Sequence, residues 1–261
     1  MKKINGLVLS SLTAAFLVGC GGGGGSSSSS GSSSGTTTET PISVERGKVY
    51  DATVTDAAGN IATKKENSNV YTFATTPVYP ITASGGIIDI DNNGPDEGDI
   101  PLETSLVSYI EGSTVITPIT TYLGDVKTDS GKAKLAKLRE LAGITSDNND
   151  DFFKKTPSEL FDDIGTNVLV LTNALFDIMN DGDTSNDDFV SSYTGSTFET
   201  KFTELKTEAL KYADKEAMAK ALEEKVITNL GLESTKLSTA DLANAKTTTT
   251  LKVADLTRFV S

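Results

Sequence analysis

The chain has 261 residues, a formal net charge of −13, no His, no Trp and one Cys. Without His, a Ser-His-Asp triad, a Cys-His dyad and a His-based zinc site are excluded, and one Cys excludes an intramolecular disulfide. The acidic balance also disfavours nucleic acid as a partner, because phosphate recognition requires a basic surface.

The N-terminal segment predicts an export signal with a lipid attachment site. Two Lys residues precede an apolar stretch over residues 7–18, which is too short to span a bilayer comfortably but has the length of a signal-peptide core. The sequence Leu-Val-Gly-Cys at residues 17–20 resembles the lipobox of bacterial lipoproteins, in which cleavage precedes the Cys and its sulfur receives a diacylglycerol. The resemblance implies a signal peptide over residues 1–19, a lipid on Cys20 as the membrane attachment and, with Gly21 at the sorting position, an outer-membrane location.

Residues 20–41 are predicted to form a tether. After Cys20 this segment is composed almost entirely of Gly, Ser and Thr, with no aliphatic or aromatic side chain before Ile42. Such a composition cannot bury enough apolar surface to offset the entropy of ordering it. We therefore expect a flexible linker with a mean end-to-end distance of roughly 25 Å and a reach of about 70 Å.

Residues 42–116 predict a small antiparallel β-sandwich, because short apolar-polar alternations are separated by turn residues. The clearest strands are residues 49–54 and residues 70–74. In the second, Tyr71 and Phe73 share one face of the strand. Further short strands are predicted at residues 61–63, 79–83 and 87–88.

A series of short motifs runs through this region in a definite order. They are Gly47-x-Val49, Asp51-Ala52, Gly59, Tyr71-x-Phe73 and Gly85-Gly86-Ile87-Ile88-Asp89, followed by Thr117-Pro118-Ile119-Thr120-Thr121-Tyr122. This order resembles the carboxypeptidase-regulatory-like, or prealbumin-like, β-sandwich of many bacterial surface lipoproteins. The resemblance implies a non-enzymatic surface module followed by helices, and it identifies no ligand.

Residues 117–231 predict a bundle of about four helices, since the apolar period changes from that of strands to that of helices. Thr117 before Pro118 is a helix N-cap, and residues 156–159 (TPSE) form a capping box. The fold class predicted for the whole chain is therefore α+β. The predicted buried stripes are Leu160, Ile164, Val168, Leu171 and Leu175, then Phe198, Phe202, Leu205, Ala209 and Tyr212, then Leu222, Val226 and Leu230.

The C-terminal tail, residues 232–261, is open to two interpretations. Residues 247–253 have β-propensity and would suit an edge strand. Alternatively, the tail is a loosely docked end.

Residues 89–99 contain five carboxylates and no Lys or Arg, and they begin with D-x-D-x-N-G, the first half of an EF-hand calcium loop. Position 12 of that motif is Ile100 instead of Glu, and the preceding residues suit a strand rather than a helix. Hard oxygen ligands in a flexible loop favour calcium over magnesium. The alternative is a solvated acidic turn. The predicted calcium ligands are Asp89, Asp91, Asn93, Asp96 and Asp99.

Two other acidic segments match calcium loops less well. In residues 177–188, Asp177, Asp181, Gly182 and Asp188 occupy EF-hand positions 1, 5, 6 and 12, but Met179 replaces the ligand at position 3. The segment Asp147-x-Asn149-x-Asp151 lacks a Gly turn and indicates a polar loop that leads into a helix.

Three hypotheses on function follow. The first is a lipid-anchored, non-catalytic binding or adhesion module at the cell surface, stabilised by calcium, whose protein or glycan partner the sequence does not identify. The second is a structural or assembly accessory with the same anchor that faces the periplasm. The third is a hydrolase with paired carboxylates, which we disfavour because dense Gly, Asn and Asp indicate exposed loops and there is no Trp for sugar stacking.

Overall fold

The computed structural model describes residues 39–144, 151–180 and 196–242, and it confirms the predicted α+β class. Several predicted features lie outside these residues. They are Cys20 with its lipobox and signal peptide, most of the tether, the acidic segments around Asp147 and Asp181, and the edge strand expected at residues 247–253.

Strands occupy the first part of the described chain. Their bounds are β1 Thr40–Val44, β2 Lys48–Tyr50, β3 Thr53–Asp56, β4 Thr63–Lys64, β5 Val70–Phe73, β6 Ile81–Ser84, β7 Ile87–Asp89, β8 Ile100–Pro101, β9 Leu106–Ser108 and β10 Val115–Ile116. The first strand begins at Thr40, so it includes two positions, Thr40 and Pro41, that the composition assigned to the tether.

The strands form three small, mostly antiparallel sheets. The largest has the order β10-β1-β5-β4, in which β1 pairs in parallel with β10 and antiparallel with β5. The other two sheets, β2-β7-β8 and β3-β6-β9, are antiparallel throughout. The alternation predicted for β5 is confirmed, because Tyr71 and Phe73 are both buried.

The strand expected over residues 49–54 is divided into β2 and β3. Asp51 lies between them in the left-handed region, with φ of 57°. The Tyr71 hydroxyl spans the interruption, since it donates to the Val49 carbonyl at 2.9 Å and accepts from the Ala52 amide at 2.9 Å. A side chain of β5 therefore satisfies the backbone groups that a continuous strand would have paired.

Helices make up the rest of the described chain. Their bounds are α1 Pro118–Leu123, α2 Asp129–Ala142, α3 Asp151–Lys154, α4 Pro157–Ile164, α5 Asn167–Asn180, α6 Ser196–Ala209 and α7 Lys215–Leu230, with a 3₁₀ helix at Leu232–Thr235. The predicted N-caps at Thr117 and Thr156 are confirmed, each as a reciprocal capping box. Gly143 and Gly231 follow α2 and α7 in the left-handed conformation that ends many helices.

Two expectations for the helices are wrong. The apolar stripe from Leu160 to Leu175 is not carried by one helix, because Gly165 ends α4 with φ of 83° and α5 begins after it. Tyr212 lies beyond the end of α6 and is 37% exposed, so it does not continue that helix's buried face.

Helix α5 lies at the centre of the helical part. Its side chains from Val168 to Ile178 are buried all round, and it contacts α1, α2, α4, α6 and α7. Helix α1 in turn contacts β9 and β10, and one continuous cluster of buried apolar side chains includes residues from both strands and helices. Burial of this shared core is what holds the strands against the helices.

Candidate functional site

The acidic segment at residues 89–99 begins at the end of β7 and runs to the start of β8. Ile88 pairs with Ile100 across the two strands, so the intervening residues form the loop of a hairpin, which we call the acidic loop. Gly94 has φ of 103°, a conformation that glycine adopts readily and that suits the sharp turn that the motif requires. As the sequence indicated, a strand and not a helix precedes the loop.

Asp89 anchors the acidic loop from inside. Its side chain is fully buried, and Oδ2 accepts a hydrogen bond of 3.0 Å from the Gly94 amide. The other oxygen, Oδ1, is buried and has no hydrogen-bond partner among the described residues. Burial raises the pKa of Asp89, against the lowering effect of the loop amides. The Tyr50 hydroxyl lies close to the same carboxylate, and the pKa of Tyr50 is raised by burial and by the charges of Asp89 and Asp99.

Asp99 closes the acidic loop at its other end. Its Oδ1 accepts from the Ile90 amide at 2.9 Å, and its Oδ2 accepts from the Asp96 amide at 2.9 Å. The side chain is 1% exposed, and burial raises its pKa to about 6 although both hydrogen bonds lower it. Since both oxygens are used by the backbone, Asp99 holds the loop's conformation in this structure.

The other three predicted ligands lie at the rim. Asn93 donates its side-chain amide to Asp96 Oδ2 at 2.9 Å. Asp91 Oδ2 lies 3.4 Å from the ammonium of Lys220 on α7. In the part of the chain that the structure describes, no group of three or more Asp, Glu or Cys side chains is arranged to hold a metal ion. The five predicted ligands therefore share one loop, with Asp89 and Asp99 buried inside it and the other three at its rim.

The acidic loop is also held by the segment that follows α7. The Gly98 amide donates to the Leu237 carbonyl at 3.1 Å, and the Leu237 amide donates to the Asp99 carbonyl at 2.7 Å. The Thr239 hydroxyl donates to Glu97 at 2.9 Å. Together with the contact between Lys220 and Asp91, these bonds make the loop the joint between one sheet and the C-terminal helices.

A buried ion pair lies behind this joint. Arg46, which follows β1, is 3.4 Å from Glu223 of α7, measured from Nη1 to Oε2, and both side chains are almost completely buried. The guanidinium also lies over the ring of Phe176, 4.4 Å from its centroid. Its Nε and Nη2 atoms have no hydrogen-bond partner among the described residues.

The carboxylate of Glu223 packs against the backbone of Gly47. A β-carbon at Gly47 would lie 2.4 Å from the carbonyl oxygen of Asp89 and 2.8 Å from Glu223 Oε2, so the position admits no larger residue. Burial raises the pKa of Glu223 well above its usual value; Arg46 opposes this, whereas the charges of Asp89, Glu45 and Asp99 add to it. Glu223 thus places a further carboxylate beside the acidic loop.

Sequence reasoning missed Arg46 and Glu223. Glu223 is next to Leu222, in the predicted stripe of α7, and Arg46 lies between the buried Val44 and Val49. The position of each charged residue beside buried apolar residues was the signal that could have indicated burial. It is a weak signal, because most such residues extend their charged groups to solvent. The partner of each is 177 positions away in the chain, and only the tertiary structure identifies it.

Asp177, the first residue of the second acidic segment, lies within α5 and is fully buried. Its Oδ1 forms an ion pair with Lys201, and its Oδ2 accepts from the Asn229 side chain at 2.9 Å. Both oxygens are therefore taken by α6 and α7. The rest of that segment, from Asp181 to Asp188, lies outside the described residues.

Among the described helices, none is long and apolar enough to cross a membrane. Comparisons of the chain with protein-family models, with curated proteins and with solved structures found no match.

Proposed function

We propose that this chain is a lipid-anchored protein of the bacterial cell envelope, located at the outer membrane, whose folded part is a non-catalytic binding or adhesion module. The observation that carries the proposal is the chain's one Cys, which ends the apolar segment in the sequence Leu-Val-Gly-Cys and precedes a polar tract. A lipid on Cys20 fixes the protein to the membrane, and several acyl chains make that attachment durable, at about 0.8 kcal/mol per buried CH₂.

The position of the first strand supports a tethered body. The first strand that the structure describes begins at Thr40, where in the sequence the Gly, Ser and Thr tract gives way to Pro41 and Ile42. The intervening tract is long enough to hold the body clear of the lipid headgroups while the body reorients. Such an arrangement suits a module that meets a partner at a distance from its own membrane.

The role of the buried carboxylates supports a non-catalytic module. A raised carboxyl pKa in a cleft is a common sign of an acid-base catalyst, although structural networks have the same effect. Asp99 accepts two backbone amides, and Glu223 pairs with Arg46 against the backbone of Gly47. Each of these groups has a partner that holds the fold together.

Protease treatment of intact cells tests the proposal. If the body is displayed at the surface, an added protease removes it from intact cells, whereas a periplasmic marker protein survives. Labelling with a radioactive fatty acid in the same cells tests the lipid on Cys20. Survival of the body until the outer membrane is permeabilised would contradict surface display and support the periplasm-facing accessory.

A further inference from the structure

We infer that the acidic loop binds a divalent cation of the calcium class, with Oδ1 of Asp89 as the innermost ligand and the side-chain oxygens of Asp91 and Asn93 as its neighbours. This inference concerns the folded part alone and does not rest on the lipid anchor. It changes the ligand set expected from the sequence, because Asp99 and Asp96 serve the loop's own hydrogen bonds.

The two oxygens of Asp89 have different environments. Oδ2 fixes the turn by accepting from the Gly94 amide at 3.0 Å, and Gly94 stands at the position where a calcium loop has the glycine of its sharp turn. Oδ1 is equally buried and has no hydrogen-bond partner among the described residues. Leaving a buried carboxylate oxygen without a partner is costly, and coordination of a cation removes that cost.

Most of the charges that act on the Asp89 carboxylate are negative, although the ammonium of Lys48, which pairs with Asp89 across β2 and β7, opposes them. The buried carboxylates of Asp89, Asp99 and Glu223 act on one another, and each is shielded from water. Arg46 approaches Glu223 at 3.4 Å and is itself turned against the ring of Phe176. A divalent cation bound at Asp89 would offset the repulsion between its carboxylate and these neighbouring carboxylates.

Asp91 and Asn93 each have a side-chain oxygen that could coordinate the cation. Asn93 donates its amide nitrogen to Asp96, which leaves its amide oxygen as the atom for a ligand. Asp91 has only long contacts, at 3.4 Å to Lys220 and 3.4 Å to the Asn93 amide. We expect the cation to replace Lys220 at Asp91 and draw this rim of the loop toward Asp89. Backbone carbonyls and water complete the shell, as is usual for calcium.

Terbium emission gives a direct test, because Tb³⁺ resembles Ca²⁺ in size and ligand preference and is excited through nearby aromatic rings. The chain has no Trp, and the Tyr50 hydroxyl lies close to the Asp89 carboxylate. The whole chain, purified in detergent, would be titrated with Tb³⁺, and the emission would then be displaced with Ca²⁺ or Mg²⁺. We expect a dissociation constant for calcium on the order of 10⁻⁴ to 10⁻³ M, and magnesium should displace at least tenfold less well.

Three variants define the site. Asp89→Asn and the partly exposed Asp91→Asn should each weaken calcium binding at least tenfold. Glu97→Gln removes the same charge from the exposed side of the same loop and should bind calcium as the parent does. Tyr50→Phe should leave calcium binding within about threefold of the parent, because it removes no ligand.

The result can overturn the inference in two ways. If calorimetry detects no calcium binding by the parent at 10 mM, on the order of ten times the weakest expected dissociation constant, the loop is a solvated acidic turn. If Asp91→Asn and Glu97→Gln weaken binding equally, the ion is attracted by net charge and Asp91 is not a ligand. Asp91→Asn keeps the test valid even if Asp89→Asn does not fold.

Discussion

Arg46 and Glu223 form an ion pair across 177 positions of the chain, with 3.4 Å between Nη1 and Oε2. Arg46 follows the first strand and Glu223 lies on the last long helix, α7. Both side chains are almost completely buried, so the pair connects the two ends of the described fold inside its core.

Removal of one member of this pair should destabilise the fold. Arg46→Met leaves Glu223 buried without its cation, and we expect the free energy of unfolding to fall by about 3–5 kcal/mol. The double variant Arg46→Met, Glu223→Leu removes both charges and should lose at least about 1 kcal/mol less than the sum of the single variants. Urea unfolding of all four proteins in chelator measures the coupling. Additive losses would show that the two charges do not stabilise each other.

Asp99 should make the protein less stable as the pH rises. Burial raises its pKa in the folded state from 3.8 to about 6. As the pH rises, Asp99 loses its proton more readily in the unfolded chain than in the folded one, which favours unfolding. The stability that the protonated Asp99 contributes is therefore fully present below about pH 4 and is lost as the pH rises through about 6. We expect a loss on the order of 2 kcal/mol over this range. The measurement is urea unfolding at pH 4, 5, 6 and 7 in chelator.

The control for the pH effect is a pair of variants. Asp99→Asn removes the titrating group, so its stability should change less than that of the parent between pH 4 and pH 7. Glu97→Gln removes a carboxyl group from the exposed part of the same loop and should keep the parent's pH dependence. An unchanged pH dependence in Asp99→Asn would assign the effect to other groups.

Replacement of the predicted lipidated residue should release the protein from the membrane. In Cys20→Ser the sulfur that would carry the lipid is absent, while the body, beyond the tether, keeps its sequence. We expect at least tenfold less protein in the washed membrane fraction, with unchanged melting of the body. Fractionation of cells with a high-salt wash provides the measurement. Retention of mature-size Cys20→Ser protein in the pellet would contradict a lipid anchor.

Lys220 should compete with a cation for Asp91. Its ammonium lies 3.4 Å from Asp91 Oδ2, and both side chains are partly exposed. Lys220→Met removes this competitor, so calcium affinity should rise about two- to fivefold, as expected for the loss of one exposed ion pair. The matched control is Lys137→Met, which loses an ion pair to Glu140 within helix α2. Equal affinities in Lys220→Met and the parent would place Asp91 outside the cation's reach.

The sequence by itself determined several local features, because these depend on neighbouring residues. Thr117 and Thr156 were recognised as N-caps because each accepts a hydrogen bond from an amide only three positions later in the chain. The buried face of Tyr71 and Phe73 followed from alternation along one strand. The turn at Gly94 was predicted because glycine adopts a positive φ without steric cost.

Only the tertiary structure decided which of these elements meet. The parallel pairing of β1 with β10, the burial of Glu223 against Gly47 and the contact of Leu237 with the acidic loop each join residues far apart in the chain. A single sequence carries no record of such contacts, because many pairings satisfy the same local pattern. For the same reason the sequence supplied Asp89 as a candidate ligand, whereas only the fold separated its unpaired oxygen from the two oxygens of Asp99 that the backbone already uses.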